Sequence, residues 1–259
     1  MKVASNGIHI NVEVQGDGEP ALVFLHYWGG SARTWRHVAA KLAPAYRIVA
    51  TDHRGWGDSD APQSRYALAD LAADALGVID ALGLKRYVLI GHSMGGKVAQ
   101  WIAAQRPDAL IGLVLVAPAP PTPIVLPDLA REMMASAYDS RSSVEATIDQ
   151  VLAGSPLSPV DRAQVIADSL RGAPQAKKAW PGATSLEDIT ALVHRIDVPT
   201  LVISGALDRI DTPATLEAEL LPRIPHATLH ILPNAGHLSP LEAPAALATL
   251  IAGFVDHLR

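Results

Sequence analysis

The feature that most limits how this chain can fold is its alternation of short apolar runs with stretches of helical spacing. Runs at 8–15, 21–25, 46–51, 87–90 and 111–116 have strand character, and helical patterns at 31–42, 68–82 and 93–105 fall between the later ones. After a long interruption the rhythm resumes with a strand at 198–204, a helix at 213–220, a strand at 228–232 and a last helix at 240–258. Short apolar strands separated by helices read as parallel βαβ units, with the sheet covered on both faces. The expected fold class is therefore α/β, with a mostly parallel central sheet. Nothing repeats at a fixed period, which excludes a solenoid.

The interruption begins at Ala117-Pro118-Ala119-Pro120-Pro121-Thr122-Pro123. These prolines can continue neither a helix nor a central strand. Helical patterns follow at 129–138, 143–152 and 159–170, with no strand among them. The reading is a helical cap at 118–182 inserted into a core formed by 1–117 and 183–259; the alternative is a long helical crossover without lid function. Long inserts in compact domains tend to be functional, which favours the cap.

Gly91-His92-Ser93-Met94-Gly95-Gly96 contains G-x-S-x-G, placed between the 87–90 run and the helix that follows. That setting turns a short pattern into a specific one: a sharp strand-to-helix turn would hold Ser93 at its apex. Small residues at Gly91 and Gly95 leave the backbone room for the turn. The Met94 amide would point to the same spot, at the positive end of the following helix.

A serine hydroxyl needs a base to accept its proton. His237, in the loop after the last strand, is the candidate. His26 is read as bracing its own loop, and His92 as aimed away by the tight turn. The base in turn needs a group to hold its tautomer. Asp208 lies just past the 198–204 strand, at the end of a sheet where α/β sites gather. Asp211 is its rival, but Pro213 suggests that Asp211 and Thr212 serve the start of the next helix. The order Ser, Asp, His is the usual one for this nucleophile turn. A second amide donor for a developing oxyanion should come from His26-Tyr27-Trp28-Gly29-Gly30, with Trp28 preferred and Tyr27 second.

Together these motifs resemble the α/β-hydrolase superfamily, and within it the small esterase and cofactor-free haloperoxidase-like group. The resemblance spans nearly the whole chain. Its carriers are the 26–30 loop, the Gly-rich 52–59 stretch, the 91–96 elbow, 205–208 and Gly236-His237. Matching His26 to the family's His-Gly loop implies Trp28 as the oxyanion donor and sets Tyr27 where the family has Gly. Ser93 argues against the dehalogenases and epoxide hydrolases of the superfamily, which carry Asp there. Carbon–carbon hydrolases keep the triad but usually have a Gly-richer first loop, and their nucleophile usually follows Asn.

The expected function is hydrolysis of small carboxylic esters, with lactones as the alternative and a non-enzymatic receptor or a perhydrolase further behind. Ser93, Asp208 and His237 would be catalytic, with Trp28 and Met94 amides at the oxyanion hole. Tyr27, Met133, Tyr138 and Trp180 are candidate pocket residues, and Met134 beside them. No metal-ligand cluster or dinucleotide pattern is visible, so no cofactor is expected. A net charge of −5 without a long basic run does not suit a phosphate backbone. With no cysteine, disulfides and thiolate metal sites are excluded. The first seven residues lack a signal-peptide core, and no apolar run would span a bilayer, so a soluble cytoplasmic protein is expected.

Overall fold

Among the described residues, 1–258 of the computed structural model, eight strands form one sheet of order β1-β2-β4-β3-β5-β6-β7-β8. They are β1 (Lys2–Ser5), β2 (Ile8–Gln15), β3 (Ala21–Leu25), β4 (Ile48–Thr51), β5 (Tyr87–His92), β6 (Leu110–Val116), β7 (Thr200–Gly205) and β8 (Thr228–Leu232). The β1–β2 and β2–β4 pairs are antiparallel, and the remaining pairs are parallel. The helices are α1 (Arg36–Leu42), α2 (Leu68–Ala81), α3 (Met94–Ala103), α4 (Asp128–Ser136), α5 (Arg141–Thr147), α6 (Pro159–Arg171) and α7 (Pro174–Gly182). They continue with α8 (Thr190–Val193), α9 (Pro213–Glu219), α10 (Ser239–Glu242) and α11 (Pro244–Asp256).

Alternation along the strands divides the core into two layers. Leu22 and Phe24 of β3 pack with Trp35 and with Val38, Leu247 and Ile251 of α1 and α11. Val23 and Leu25 point the other way, into a layer with Leu71 and Val78 of α2 and with Val98 and Ile102 of α3. The central strands are buried along their whole length, which is why they read as continuous apolar runs.

The parallel register aligns the carboxyl ends. Leu25 pairs with Gly91, His92 with Val116, Val116 with Ile203, and Gly205 with Leu232. The loops leaving β3, β5, β6, β7 and β8 therefore rise from one edge of the sheet.

Several elements differ from the sequence expectation. β1 is too short to show a period and gains its order from pairing with β2. The 31–42 helix begins as a tight 3-10 turn at Ala32–Trp35, capped by Ser31, before α1. The 143–152 helix is α5 followed by a π-helical turn at Ile148–Leu152. The last helix is broken into α10 and α11 at Pro244, which lacks the amide needed to continue the first. α7 and α8 were not among the expected helices; α7 starts at Pro174, a residue suited to the first helical turn, and holds Pro181 near its end. From β6 to β7 the described chain is helices and loops alone. The 52–59 loop is fastened by Arg54, whose guanidinium meets both oxygens of Asp74 at 2.6 Å in a fully buried pair.

Candidate active site

Ser93 lies between β5 and α3 with φ 53° and ψ −115°, a conformation that L-residues rarely hold. Its N–H donates to Val116 O (3.1 Å), and its own carbonyl accepts from Ala119 and Lys97 amides. The elbow needs glycine on both sides for steric reasons. A Cβ at Gly91 would meet Gly95 O at 2.3 Å, and one at Gly95 would meet Leu25 O and His26 O at 2.6 Å. The packing of α3 against the end of β3 thus fixes the serine, which keeps 8% of its surface exposed.

β7 and β8 bring the acid and base together. The loops after them are laced by Ala206 N–H to Leu232 O and Leu207 N–H to Ala235 O, both 2.9 Å. Asp208 Oδ1 accepts the amides of Ile210 (2.8 Å) and Asp211 (3.2 Å). Its Oδ2 accepts Nδ1–H of His237 at 2.9 Å, with both side chains sealed from solvent. This bond fixes the tautomer and leaves Nε2 as the basic atom. Burial favours a neutral ring, but the Asp208 charge and hydrogen bond carry the His237 pKa above the ordinary histidine value. Ser93 Oγ and His237 Nε2 make no hydrogen bond among the described residues. Catalytic contacts of this type often close only with substrate bound.

The imidazole is held beside the elbow by the residue preceding the serine. His92 Nε2–H donates to the backbone carbonyl of His237 at 2.7 Å, and the two rings lie 5.1 Å apart. Burial pushes the His92 pKa well below the usual value, so the ring is neutral, as the Nε2–H tautomer requires. No local pattern marks this contact, because it crosses 145 positions. Glu242 clamps the same loop from α10: its carboxylate accepts the amides of Gly154 (2.7 Å), Ser155 (2.7 Å) and Gly236 (3.0 Å).

The 26–30 loop lies on the other side of Ser93. His53 N–H donates to His26 Nε2 (2.9 Å), so Nδ1 carries the proton and donates to Tyr27 O (2.6 Å). His26 therefore braces its own loop, as its sequence setting implied; burial lowers its pKa to about 4. Gly30 N–H donates to the same Tyr27 carbonyl at 3.0 Å. In a trans peptide the C=O and N–H point in opposite directions. Fixing the Tyr27 carbonyl thus turns the Trp28 amide away from it. Neither the Trp28 nor the Met94 amide has an acceptor in the chain among the described residues.

The other candidate residues divide. Tyr27 is buried with its ring 5.1 Å from that of His92 and its phenol beside Ser169. Tyr138 is buried against Trp28, and Trp180 is buried in α7. Met133 stands apart, on the outer face of α4 and 62% exposed, while Met134 is half-buried. Asp211 is fully buried beside Asp208, and burial raises its pKa to about 8. Of the two residues expected at the start of α9, Thr212 caps it, its hydroxyl accepting the Thr215 amide, while Asp211 makes no such bond.

A serine at a strained strand–helix turn, beside a buried imidazole–carboxylate pair, defines the hydrolase class built on this sheet. Residues 22–250 match the Alpha/beta hydrolase family, and the chain belongs to it. The chain is 30% identical over 255 residues to a non-heme chloroperoxidase of Streptomyces lividans, covering 92% of each. A thermophilic esterase from Thermogutta terrifontis, solved with malate bound, superposes with a TM-score of 0.86 at 26% identity, over 100% of this chain and 98% of that one. A solved N-acyl homoserine lactone degrading enzyme matches with a TM-score of 0.85 at 26% identity, over 98% and 100% of the two chains. Among the described residues, no helix is long and apolar enough to cross a membrane.

Proposed function

We propose that this protein is a serine carboxylesterase that hydrolyses small carboxylic esters through an acyl-enzyme. The observation that carries the reading is the buried His237–Asp208 bond of 2.9 Å, set beside a serine whose φ is 53°. In the first half-reaction Ser93 Oγ attacks the ester carbonyl as His237 Nε2 takes its proton. The carbonyl oxygen becomes an oxyanion facing the Trp28 and Met94 amides. Collapse expels the alcohol, which receives the proton from His237. Water then attacks the acyl-enzyme, its proton passing to His237 and on to Ser93 as the acid leaves. Asp208 stays ionised and stabilises the imidazolium. Under this reading the 118–182 segment caps the site and shapes the acyl or alcohol pocket.

Lactones are cyclic esters and follow the same steps. The likeness to an N-acyl homoserine lactone degrading enzyme supports including them among the substrates. Two measurements test the proposal. A fluorophosphonate probe is expected to label the wild type and not Ser93→Ala; an unlabelled wild type would favour a binding role on this fold. A panel of p-nitrophenyl esters and lactones then ranks the two substrate groups by kcat/KM.

A further inference from the structure

We infer that Tyr138 and Ser169, two hydroxyls of the segment between β6 and β7, are positioning residues for the oxyanion loop. The inference rests on the proposed use of the Trp28 amide. The Tyr138 hydroxyl donates to the carbonyl of Trp28 at 2.9 Å, and the Ser169 hydroxyl donates to the carbonyl of Gly29 at 3.0 Å. Both contacts are buried, and they cross 110 and 140 positions of the chain.

The loop needs such holding for a local reason. Gly29 has φ +101°, and Gly30 follows it, so the backbone has more freedom here than at any other kind of dipeptide. A Cβ at Gly29 would lie 2.5 Å from the Tyr138 ring, and one at Gly30 would lie 2.6 Å from the Tyr27 ring. Neither position can be stiffened by a side chain while these aromatics are in place. Order has to come from the carbonyls. Three in succession are fixed: Tyr27 O by His26 and Gly30, Trp28 O by Tyr138, and Gly29 O by Ser169. The first is secured within the core, and the other two depend on the segment between β6 and β7.

The surroundings reinforce both donors. Tyr138 packs against Trp28 with ring centroids 4.2 Å apart, and Trp56 meets each of them edge-on. Next to Ser169 on α6, Asp168 accepts from Ser31 Oγ at 2.9 Å and pairs with Arg33. The chain from Trp28 to Arg33 is thereby tied to the insert at each end. The two peptides after Trp28 cannot rotate without breaking a buried hydrogen bond. The Gly30 N–H shares a peptide with the Gly29 carbonyl, so its rotation would release the Tyr27 carbonyl, whose peptide carries the Trp28 amide. Small misplacements of this sort cost turnover out of proportion to their size.

The test compares wild type with Tyr138→Phe, Ser169→Ala and the double variant, each assayed on one ester well below its own thermal midpoint. Ser169→Thr, which keeps the hydroxyl, serves as the conservative control. Each single loss is expected to lower kcat roughly tenfold and the double roughly a hundredfold, below or near the ~10²–10³ lost with an oxyanion donor itself. KM should stay within about twofold, and Ser169→Thr should recover most of the kcat lost in Ser169→Ala. Folded variants that lose thermal stability but keep wild-type kcat would overturn the inference, leaving the two hydroxyls a packing role only. If the double variant does not fold, the single variants decide on the same terms. Activity surviving in Ser93→Ala would refute the catalytic reading instead, so the two failures are distinguishable.

Discussion

At the scale of single residues, the site sets two buried carboxyls against one imidazole. Asp208 is bonded to His237, whereas Asp211 has Oδ2 buried without a partner, and burial raises its pKa to about 8. Burial works against a charged His237; the Asp208 charge and hydrogen bond do most to keep its pKa high, and the Asp211 and Glu242 carboxyls add to them. kcat/KM should therefore rise with pH through a value above 6.5, the ordinary position of histidine. Asp208→Asn should lose on the order of 10⁴ in kcat through the wrong tautomer. Asp211→Asn should keep that acid limb, because the larger contribution, from Asp208, remains. Its effect belongs to stability. The unfolded chain gives up the Asp211 proton near pH 4, while the fold keeps it to about pH 8. In that window the native state binds one more proton than the unfolded state. Stability from this group then falls with rising pH by at most about 1.4 kcal/mol per pH unit. Asp211→Asn lacks the term, so its stability relative to wild type should rise with pH across the window. Urea unfolding of both proteins at pH 5 and pH 7.5 measures it; a difference that is flat with pH would show Asp211 ionised in the fold.

At the scale of elements, what could be read in the sequence follows the distance between interacting residues. The elbow was legible because strand, glycines, serine and helix are contiguous. Asp208 and His237 were legible because each follows a strand end, and the parallel register brings such ends to one edge. Glu242 was not. It sits on α10, a helix of four residues, and its partners at Gly154 and Ser155 are 88 and 87 positions away. The hydroxyls of Tyr138 and Ser169 were hidden for the same reason. The π-helical turn at Ile148–Leu152 was hidden as well, since its apolar spacing over so few residues matches an ordinary helix. Its end matters, because the Leu152 carbonyl accepts the amides of His237 (3.0 Å) and Leu238 (3.3 Å). Glu242 seals that junction, and its loss has a definite cost. Glu242→Ala would leave three part-buried amides without an acceptor, each worth on the order of 1 kcal/mol. A fall in unfolding free energy of at least about 2 kcal/mol is expected, with a drop in kcat from the loosened His237 loop. Glu242→Gln should be milder, because one carbonyl oxygen can still serve Gly154 and Ser155 while the amide group faces Gly236. Equal effects of the two substitutions would show that the carboxylate charge, not its acceptor geometry, matters.

At the scale of the whole molecule, the helices between β6 and β7 are not uniformly attached. α6 is fastened to the core along its length: Asp161 meets Arg36 and His37 at 2.7 Å, and Asp168 meets Ser31 and Arg33. Val165, Ile166 and Ser169 on the same helix are buried. α4 has no buried residue, and Leu129 and Met133 stand 69% and 62% exposed on it. The two helices lie in one segment between β6 and β7 but at different levels of local stability, since few buried contacts mean low-cost opening. Tyr138 lies just past α4, where it holds the Trp28 carbonyl, so the loose helix ends at a fixed point. Amide hydrogen exchange should separate the two: α4 is expected to exchange at least tenfold faster than α6, a gap of about 1.4 kcal/mol in opening free energy. Phosphonylation of Ser93 should slow exchange in 27–31 and 235–238, the loops beside the adduct, more than in α4. Protection of α4 equal to that of α6 would mean that the segment between β6 and β7 opens as one rigid piece, and the bonds from Tyr138 and Ser169 to the 26–30 loop would then break and form together.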